Sequence, residues 1–304
     1  MKHTLKVTAV ILAMFVIAQF IGLFVVNHYM AEENDLPLGL ETPEIEKESD
    51  YYGLFSGIVV AFAIAILLLF FLMKFKVEFI LKLWFFVVVV IALTIALSSI
   101  LSQFSILKYF VIMSLIISLP LAFIKIYKTN FLIHNATELF IYPGIAAVFV
   151  PILNIWTIIG LLILISAYDM WAVWHSGVMQ KMAKYQIDKL KIFSGFFIPY
   201  VSKQVKQKIK KMRKTLKKSE LKKKKIRVNV AILGGGDVIF PIIAAGVMMK
   251  TLGFVPALLV LAGATLGLGY LFFIAAKRKF YPAMPFITAG IFAGMLASYI
   301  LFSL

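Results

Sequence analysis

Cysteine is absent from this sequence, and histidine is scarce and scattered. Without cysteine the chain has no disulfide framework, no thiol nucleophile and no Cys-ligated zinc site. The histidines show no HExxH spacing, which argues against a metal-dependent hydrolase. We therefore expect neither a metal nor another cofactor. The four histidines are His3, His28, His134 and His175.

Acidic residues are also few, 14 against 31 lysines and arginines, and the basic excess is concentrated in one segment. Residues 181–227 contain 18 basic residues against Asp188 and Glu220, whereas the rest of the chain is almost neutral. The segment has few interleaved aromatic residues on which bases could stack, so we expect no nucleic-acid partner. Contact with anionic lipid headgroups fits this composition better.

Apolar residues make up 62% of the 304 residues, and the mean hydropathy is +0.98. Soluble domains are about half apolar, so this composition predicts an integral, multi-pass membrane protein of the all-α class. Nine apolar stretches are long enough to cross a bilayer as helices. They run over residues 5–27, 53–73, 79–100, 105–125, 136–152, 154–174, 228–249, 253–275 and 281–303.

Nine spans divide the chain into two helical parts, 1–178 and 228–304, around a basic loop at 179–227 that we expect to be partly disordered. With this count all the lysine-rich loops lie on one side of the membrane, and the acidic loop at 31–52 lies on the other. Short basic loops stay cytoplasmic. We therefore expect a cytoplasmic N-terminus, an external C-terminus and residence in the cell membrane.

Three local patterns lead to further expectations. Gly263, Gly267 and Gly269 in the eighth span have a spacing that lets helices pack closely. Asn135 with Glu138 three residues later is typical of a helix N-cap and its capping partner, which places the start of the fifth helix at Asn135. Residues 184–197 read as an amphipathic segment at the start of the basic loop.

The stretch VNVAILGGGDVIFP, residues 228–241, combines features that are costly in a membrane helix. Gly234, Gly235 and Gly236 each weaken a helix by about 1 kcal/mol relative to alanine. They precede Asp237, and an ionisable group at membrane depth indicates a functional site. We expect the glycines to loosen the helix, so that water and a substrate backbone can approach the carboxylate.

A second carboxylate, Asp169, is expected at a similar depth. At 1.5 Å per residue it lies roughly 23 Å along the inward-running sixth helix, and Asp237 lies roughly 13 Å along the outward-running seventh. Both positions fall in the cytoplasmic half of a core about 30 Å thick. The start of the ninth helix, residues 282–285, falls near the same level.

Two facing carboxylates in a low dielectric share one proton, because both cannot ionise easily. The ionised member can take a proton from water while the neutral member donates one, which is the chemistry of an aspartic protease. Pro282 and Pro285 would leave carbonyls without intrahelical donors, and an unwound substrate strand could pair with them.

Three motifs resemble the YD, GxGD and PAL motifs of the presenilin and signal peptide peptidase family of intramembrane aspartyl proteases. They are Tyr168-Asp169, Gly234-x-Gly236-Asp237 and Pro282-Ala283-Met284-Pro285. The resemblance implies that Asp169 and Asp237 are catalytic, and that Tyr168, the three glycines and residues 282–285 shape the site. Met284 stands where the family usually has leucine, an apolar replacement of similar volume.

The resemblance implies a protease that cleaves transmembrane segments of other membrane proteins. The basic loop between the catalytic helices favours the presenilin orientation over the inverted signal peptide peptidase one. The lack of cysteine and the small size fit a prokaryotic, archaeal member, and the sequence is compatible with a homo-oligomer. The alternative from the residues alone is a proton- or ion-coupled transporter, although no repeated halves are found.

Overall fold

The computed structural model describes residues 5–31, 35–43, 45–75, 78–104, 109–128, 130–176, 192–200, 229–275 and 281–302. Within these ranges nine helices are long and apolar enough to cross a membrane. The predicted number of spans is therefore confirmed for the described chain. The helices are α1 (Leu5–Met30), α2 (Glu48–Lys74), α3 (Glu78–Leu101), α4 (Phe110–Tyr127), α5 (Phe131–Phe149), α6 (Ile155–Trp171), α7 (Gly235–Leu252), α8 (Phe254–Ile274) and α9 (Met284–Phe302).

Helix α7 lies at the centre of the bundle. It contacts α1, α5, α6, α8 and α9, and every residue from 241 to 249 is buried. This segment is apolar all round, as expected for a helix enclosed by others. Helix α2 is the opposite case, because none of its described side chains is buried. The helix that carries Asp237 is therefore the one most enclosed by protein.

A two-stranded antiparallel sheet precedes α7 and is the main departure from the predicted all-helical chain. Strand β1 (Gly195–Tyr200) pairs with β2 (Asn229–Gly234), with Gly195 opposite Gly234 and Tyr200 opposite Asn229. The seventh span was predicted to be helical from residue 228, but its first six described residues form β2. The end of the predicted amphipathic segment, residues 195–197, likewise belongs to β1. Residues 177–191 and 201–228 of the basic loop lie outside the described residues.

The predicted start of the fifth helix at Asn135 is wrong. Helix α5 begins at Phe131, and Asn130 is its N-cap, accepting hydrogen bonds from the backbone N–H groups of Leu132 and Ile133. Asn135 therefore lies inside the helix. Glu138 is not a capping partner either, because it is buried and pairs with Lys125 of α4.

Helices α8 and α9 cross with their backbones in contact at small residues. A Cβ atom added to Gly263 would collide with the carbonyl of Gly290, and one added to Gly267 would collide with that of Phe286. Small residues at such crossings let membrane helices approach closely. The predicted packing role is thus confirmed for Gly263 and Gly267. It is wrong for Gly269, which has no atom within 4 Å of the added Cβ.

This difference predicts opposite effects of the same substitution at two places in α8. Gly263→Ala should destabilise the protein by about 1–3 kcal/mol, because the new methyl group overpacks the crossing. Gly269→Ala, the matched control, should be neutral or stabilising by up to about 1 kcal/mol through helix propensity. Thermal unfolding in one detergent compares the two. Equal melting temperatures for Gly263→Ala and the parent would contradict the close crossing.

Candidate active site

Helix α6 carries Asp169 near its C-terminal end. The helix begins at a capping box, in which the Asn154 side chain accepts from the N–H of Thr157 and the Thr157 hydroxyl accepts from the N–H of Asn154. Asp169 is 7% exposed. A π-helical turn, Ala172–Ser176, follows directly. Such turns are frequent at functional sites, because they change the direction in which neighbouring side chains point.

The Asp169 carboxylate is held by the first turn of α9. Its Oδ2 accepts a hydrogen bond of 3.0 Å from the backbone N–H of Met284, and the N–H of Ala283 also interacts with it. The first N–H groups of a helix lack intrahelical partners and carry partial positive charge. Asp169 therefore caps α9 from another helix, and α9 stabilises negative charge on Asp169.

A second contact joins the same two helices one turn away. Ser166 of α6 donates a hydrogen bond of 2.8 Å to the Thr288 hydroxyl of α9, and both side chains are buried. Ser166 and Asp169 are three residues apart, and Met284 and Thr288 are four apart, so each pair shares a helix face. The two bonds together set the position of α9 along α6. Neither Ser166 nor Thr288 was among the predicted site residues.

Asp237 is the third residue of α7 and lies half-buried directly after the sheet. The backbone N–H of Gly234, the residue before the helix, interacts with its carboxylate. A carboxylate at this position commonly reaches back to the N-cap amide. The predicted helix from residue 228 to Asp237 is therefore wrong, because the chain reaches Asp237 through strand β2. Both carboxylates nevertheless meet the start of a helix: Asp169 contacts the first turn of α9, and Asp237 lies in the first turn of α7.

The three glycines form the junction between β2 and α7. The prediction that they loosen the interior of a helix is therefore wrong. Gly234 ends β2, and Gly235 and Gly236 are the first two helical residues. A Cβ atom on Gly235 would lie 2.6 Å from the Ser194 hydroxyl and 3.1 Å from the Tyr142 ring. Gly236 is exposed and would accept a Cβ in ordinary contact. Close packing at Gly235 and an open backbone at Gly236 distinguish the two positions.

The remaining predicted residues are neighbours in sequence of Asp169 or of Met284, which binds it. Pro282 and Ala283 precede α9, and Pro285 lies in its first turn, where a missing N–H leaves no hydrogen bond unmade. Pro282 is buried and Pro285 is half-buried. Tyr168 is half-buried, and its ring lies beside that of Trp171, with 6.3 Å between centroids.

A glutamine from the first helix also reaches this region. Gln19 of α1 is fully buried and donates a hydrogen bond of 3.0 Å to the carbonyl of Val238, next to Asp237. Sequence reasoning missed it, although an amide side chain inside the apolar stretch 5–27 is the same kind of signal as an intramembrane carboxylate. Gln19 fixes the first turn of α7 against α1.

The geometry brings the two carboxylates together. Helices α6, α7 and α9 contact one another, and Asp169 and Asp237 lie near enough for their charges to interact. Such a pair can both accept and donate a proton at one water molecule. Within the described residues no three His, Cys, Asp or Glu side chains are grouped as metal ligands.

Comparison with known proteins now identifies the family. The model of the family described as "Signal-peptide peptidase, presenilin aspartyl protease" matches residues 12–304, and the chain belongs to this family. No curated protein matches the chain in sequence. The family assignment makes this protein an intramembrane aspartyl protease, an integral membrane enzyme that crosses the bilayer several times.

Two solved structures share its fold. Both are described as structures of a presenilin family intramembrane aspartate protease, one in space group C222 and one in P2. The first is 18% identical and has a TM-score of 0.60, with 97% of this chain and 99% of that chain covered. The second is also 18% identical, with a TM-score of 0.56 and 96% of each chain covered.

The contact to Asp169 predicts that the backbone of residue 284 matters more than its side chain. Met284→Leu should leave activity nearly unchanged, because the N–H remains and the volume is similar. Met284→Pro keeps a helix start but lacks the N–H, and losing a hydrogen bond to a charged group should lower kcat by roughly tenfold or more. Cleavage of one transmembrane substrate measures both. A fully active Met284→Pro would show that the bond is dispensable.

Proposed function

We propose that Asp169 and Asp237 are the catalytic pair of this protease. The observation that supports the proposal is their convergence, because two carboxylates from separate helices interact. Asp169 contacts the start of α9, and Asp237 lies in the first turn of α7. The family assignment supports a protease, and no observation favours the transporter alternative.

The proposed reaction uses one water molecule. The ionised carboxylate accepts a proton from water as its oxygen attacks the peptide carbonyl carbon. The protonated carboxylate donates to the carbonyl oxygen, which forms a tetrahedral diol. A proton then passes to the peptide nitrogen, the C–N bond breaks, and an acid and an amine are released. The two side chains exchange protonation states during the cycle and need no covalent intermediate.

The proposed substrate is a transmembrane segment of another protein, presented to the site as an extended strand. A peptide bond inside a helix is shielded by its own hydrogen bonds, so the segment has to unwind locally before hydrolysis. No described strand pairs with the outer edge of β2, and this edge leads directly to Asp237. Backbone pairing along such an edge is a common way to hold an extended peptide. Carbonyls near Pro282, at the start of α9 that binds Asp169, would provide a second set of acceptors for the strand.

Single substitutions test the catalytic pair. Asp169→Asn and Asp237→Asn keep the side-chain shape but remove one proton-transfer group, so each alone should abolish cleavage of single-span helical substrates in liposomes. Cleavage that survives either substitution would show that the residue is not catalytic. If even the parent cleaved nothing, proton flux across the same liposomes would separate a transporter from an unsuitable substrate.

We further propose that the basic segment 181–227 lies in the cytoplasm and contacts anionic lipid, with the acidic segment 31–52 on the opposite side. The support is the charge distribution, because short lysine-rich loops stay cytoplasmic. Each lysine near an anionic surface adds about 1 kcal/mol of attraction.

The absence of native cysteine allows a direct test of this orientation. Ser219→Cys and Ser49→Cys place one thiol in each segment, and a membrane-impermeant maleimide reports which is accessible. In intact cells Ser49→Cys should react, and Ser219→Cys should react only after permeabilisation. The reverse pattern would show that the chain is inverted.

A further inference from the structure

The outer edge of β1 is covered by side chains of α5. Asn135 makes two hydrogen bonds with the backbone of Phe197: its Nδ2 donates to the carbonyl at 2.8 Å, and its Oδ1 accepts from the N–H at 2.9 Å. A neighbouring strand would satisfy the same pair of groups in the same way. Asn135 thus replaces a strand at this position of the sheet.

Gly195, two residues before Phe197, is held in the same manner. Glu138 Oε1 accepts from the Gly195 N–H at 3.3 Å, and His134 Nε2 lies 2.8 Å from the Gly195 carbonyl. The Lys125 ammonium, which can only donate, lies 3.2 Å from His134 Nδ1. His134 therefore accepts at Nδ1 and donates from Nε2 to Gly195. Alternate residues of a strand face the same edge, so three side chains on one helix bind that edge.

Helix α4 fixes the carboxylate that makes one of these bonds. Lys125 Nζ lies 2.6 Å from Glu138 Oε1, and the two side chains are only 5% and 1% exposed. Removing two charges from water costs about as much as the pair regains, so a buried ion pair is weak evidence for stability. Its directional hydrogen bonds to the helix and the strand instead favour a role in setting one arrangement.

Strand β1 lies beside the residues that lead into the first turn of α7, which carries Asp237. Gly195 is directly opposite Gly234, and the Gly235 N–H donates to the carbonyl of Ser194 at 3.3 Å. Paired strands are about 4.8 Å apart, so a shift of β1 is transmitted to Gly234 at short range. Asp237 follows three residues later, and its carboxylate interacts with the Gly234 N–H.

We propose that Glu138 and Asn135 are positioning residues for Asp237, acting through β1 and β2. By anchoring the outer edge of β1 they fix the strand that places Gly234 and the first turn of α7. The inference rests on the proposed catalytic role of Asp237, and neither residue is assigned any contact with the substrate.

Two neutral double variants differ in whether residue 138 can accept a hydrogen bond from β1. Lys125→Met with Glu138→Gln removes both charges but keeps an oxygen that accepts from Gly195. Lys125→Met with Glu138→Met removes the charges and that oxygen at similar volume. Neither leaves a buried charge unpaired, which would itself be strongly destabilising. Asn135→Leu tests the second anchor, and Thr137→Val is its control, because the Thr137 hydroxyl binds only the backbone of its own helix.

The readouts are kcat and KM, with substrate expressed as a mole fraction of lipid, together with hydrogen exchange of residues 195–200 and 229–234. These strands should exchange faster in Asn135→Leu and in the double variant that carries Glu138→Met (the Met double variant) than in the one that carries Glu138→Gln (the Gln double variant). The kcat values of the Met double variant and Asn135→Leu should fall about ten- to a hundredfold below those of the Gln double variant and Thr137→Val, because small misplacements of a catalytic group have effects of this size. KM should change little.

Equal kcat values within both matched pairs, or a loss confined to KM, would overturn the positioning role. If the Met double variant does not fold, Asn135→Leu decides alone, because it is a neutral change at a half-buried site. Asp237→Asn is measured in the same assay. Cleavage by Asp237→Asn would refute the proposed function itself, whereas an inactive Asp237→Asn beside fully active anchor variants would refute only this inference.

Discussion

The hydrogen bond between Asp169 and the backbone N–H of Met284 is the contact on which the site depends. It joins α6 to α9, and it places the carboxylate where the unpaired amides of a helix start can stabilise negative charge. Asp237 uses the start of its own helix in the same way. A carboxylate inside a bilayer is costly unless the protein provides such partners. Helix N-termini meet this need without introducing a positively charged side chain that would compete for the proton.

The second constraint is that backbone groups near the membrane need partners within the protein. Strand β1 meets it on both edges, through β2 on one side and α5 on the other. Pro199, a later residue of β1, has no N–H to satisfy. The sheet is therefore attached to the helical bundle along one edge. This attachment explains how two short strands, one inside the basic loop and one leading into α7, can hold a defined position.

Much of the fold and the core of the site could be predicted from the sequence, because the relevant residues are costly where they stand. Charge at membrane depth in Asp169 and Asp237, and prolines at the start of α9, stand out against long apolar stretches. Hydropathy also identifies the spans, since length and apolar content decide whether a helix can cross. It does not report backbone conformation, so the apolar residues of β2 were merged with α7. A short apolar run does not by itself distinguish a strand from a helix.

Partners that come from other parts of the chain were not predictable. The spacing of Asn135 and Glu138 fits a local cap, but Glu138 binds Lys125 of the preceding helix and Gly195 of a strand 57 residues away. The contact between Ser166 and Thr288 spans 122 residues. Gly263 and Gly267, four residues apart, both meet the backbone of α9, whereas a Cβ on Gly269, two residues further on, would meet no atom within 4 Å. Such pairings depend on how the helices pack, which no single segment encodes.

The proposal that Asp169 and Asp237 act on one reacting centre is tested most directly by the affinity of a peptide that carries a secondary alcohol in place of the cleaved amide. Its hydroxyl mimics the tetrahedral diol and should lie between the two carboxylates, and such analogues bind at least about a hundredfold more tightly than substrates. Binding to the parent should therefore be strong, and both Asp169→Asn and Asp237→Asn should weaken it by a similar large factor. Undiminished binding to either variant would contradict a shared site, because that carboxylate would then not contact the reacting centre.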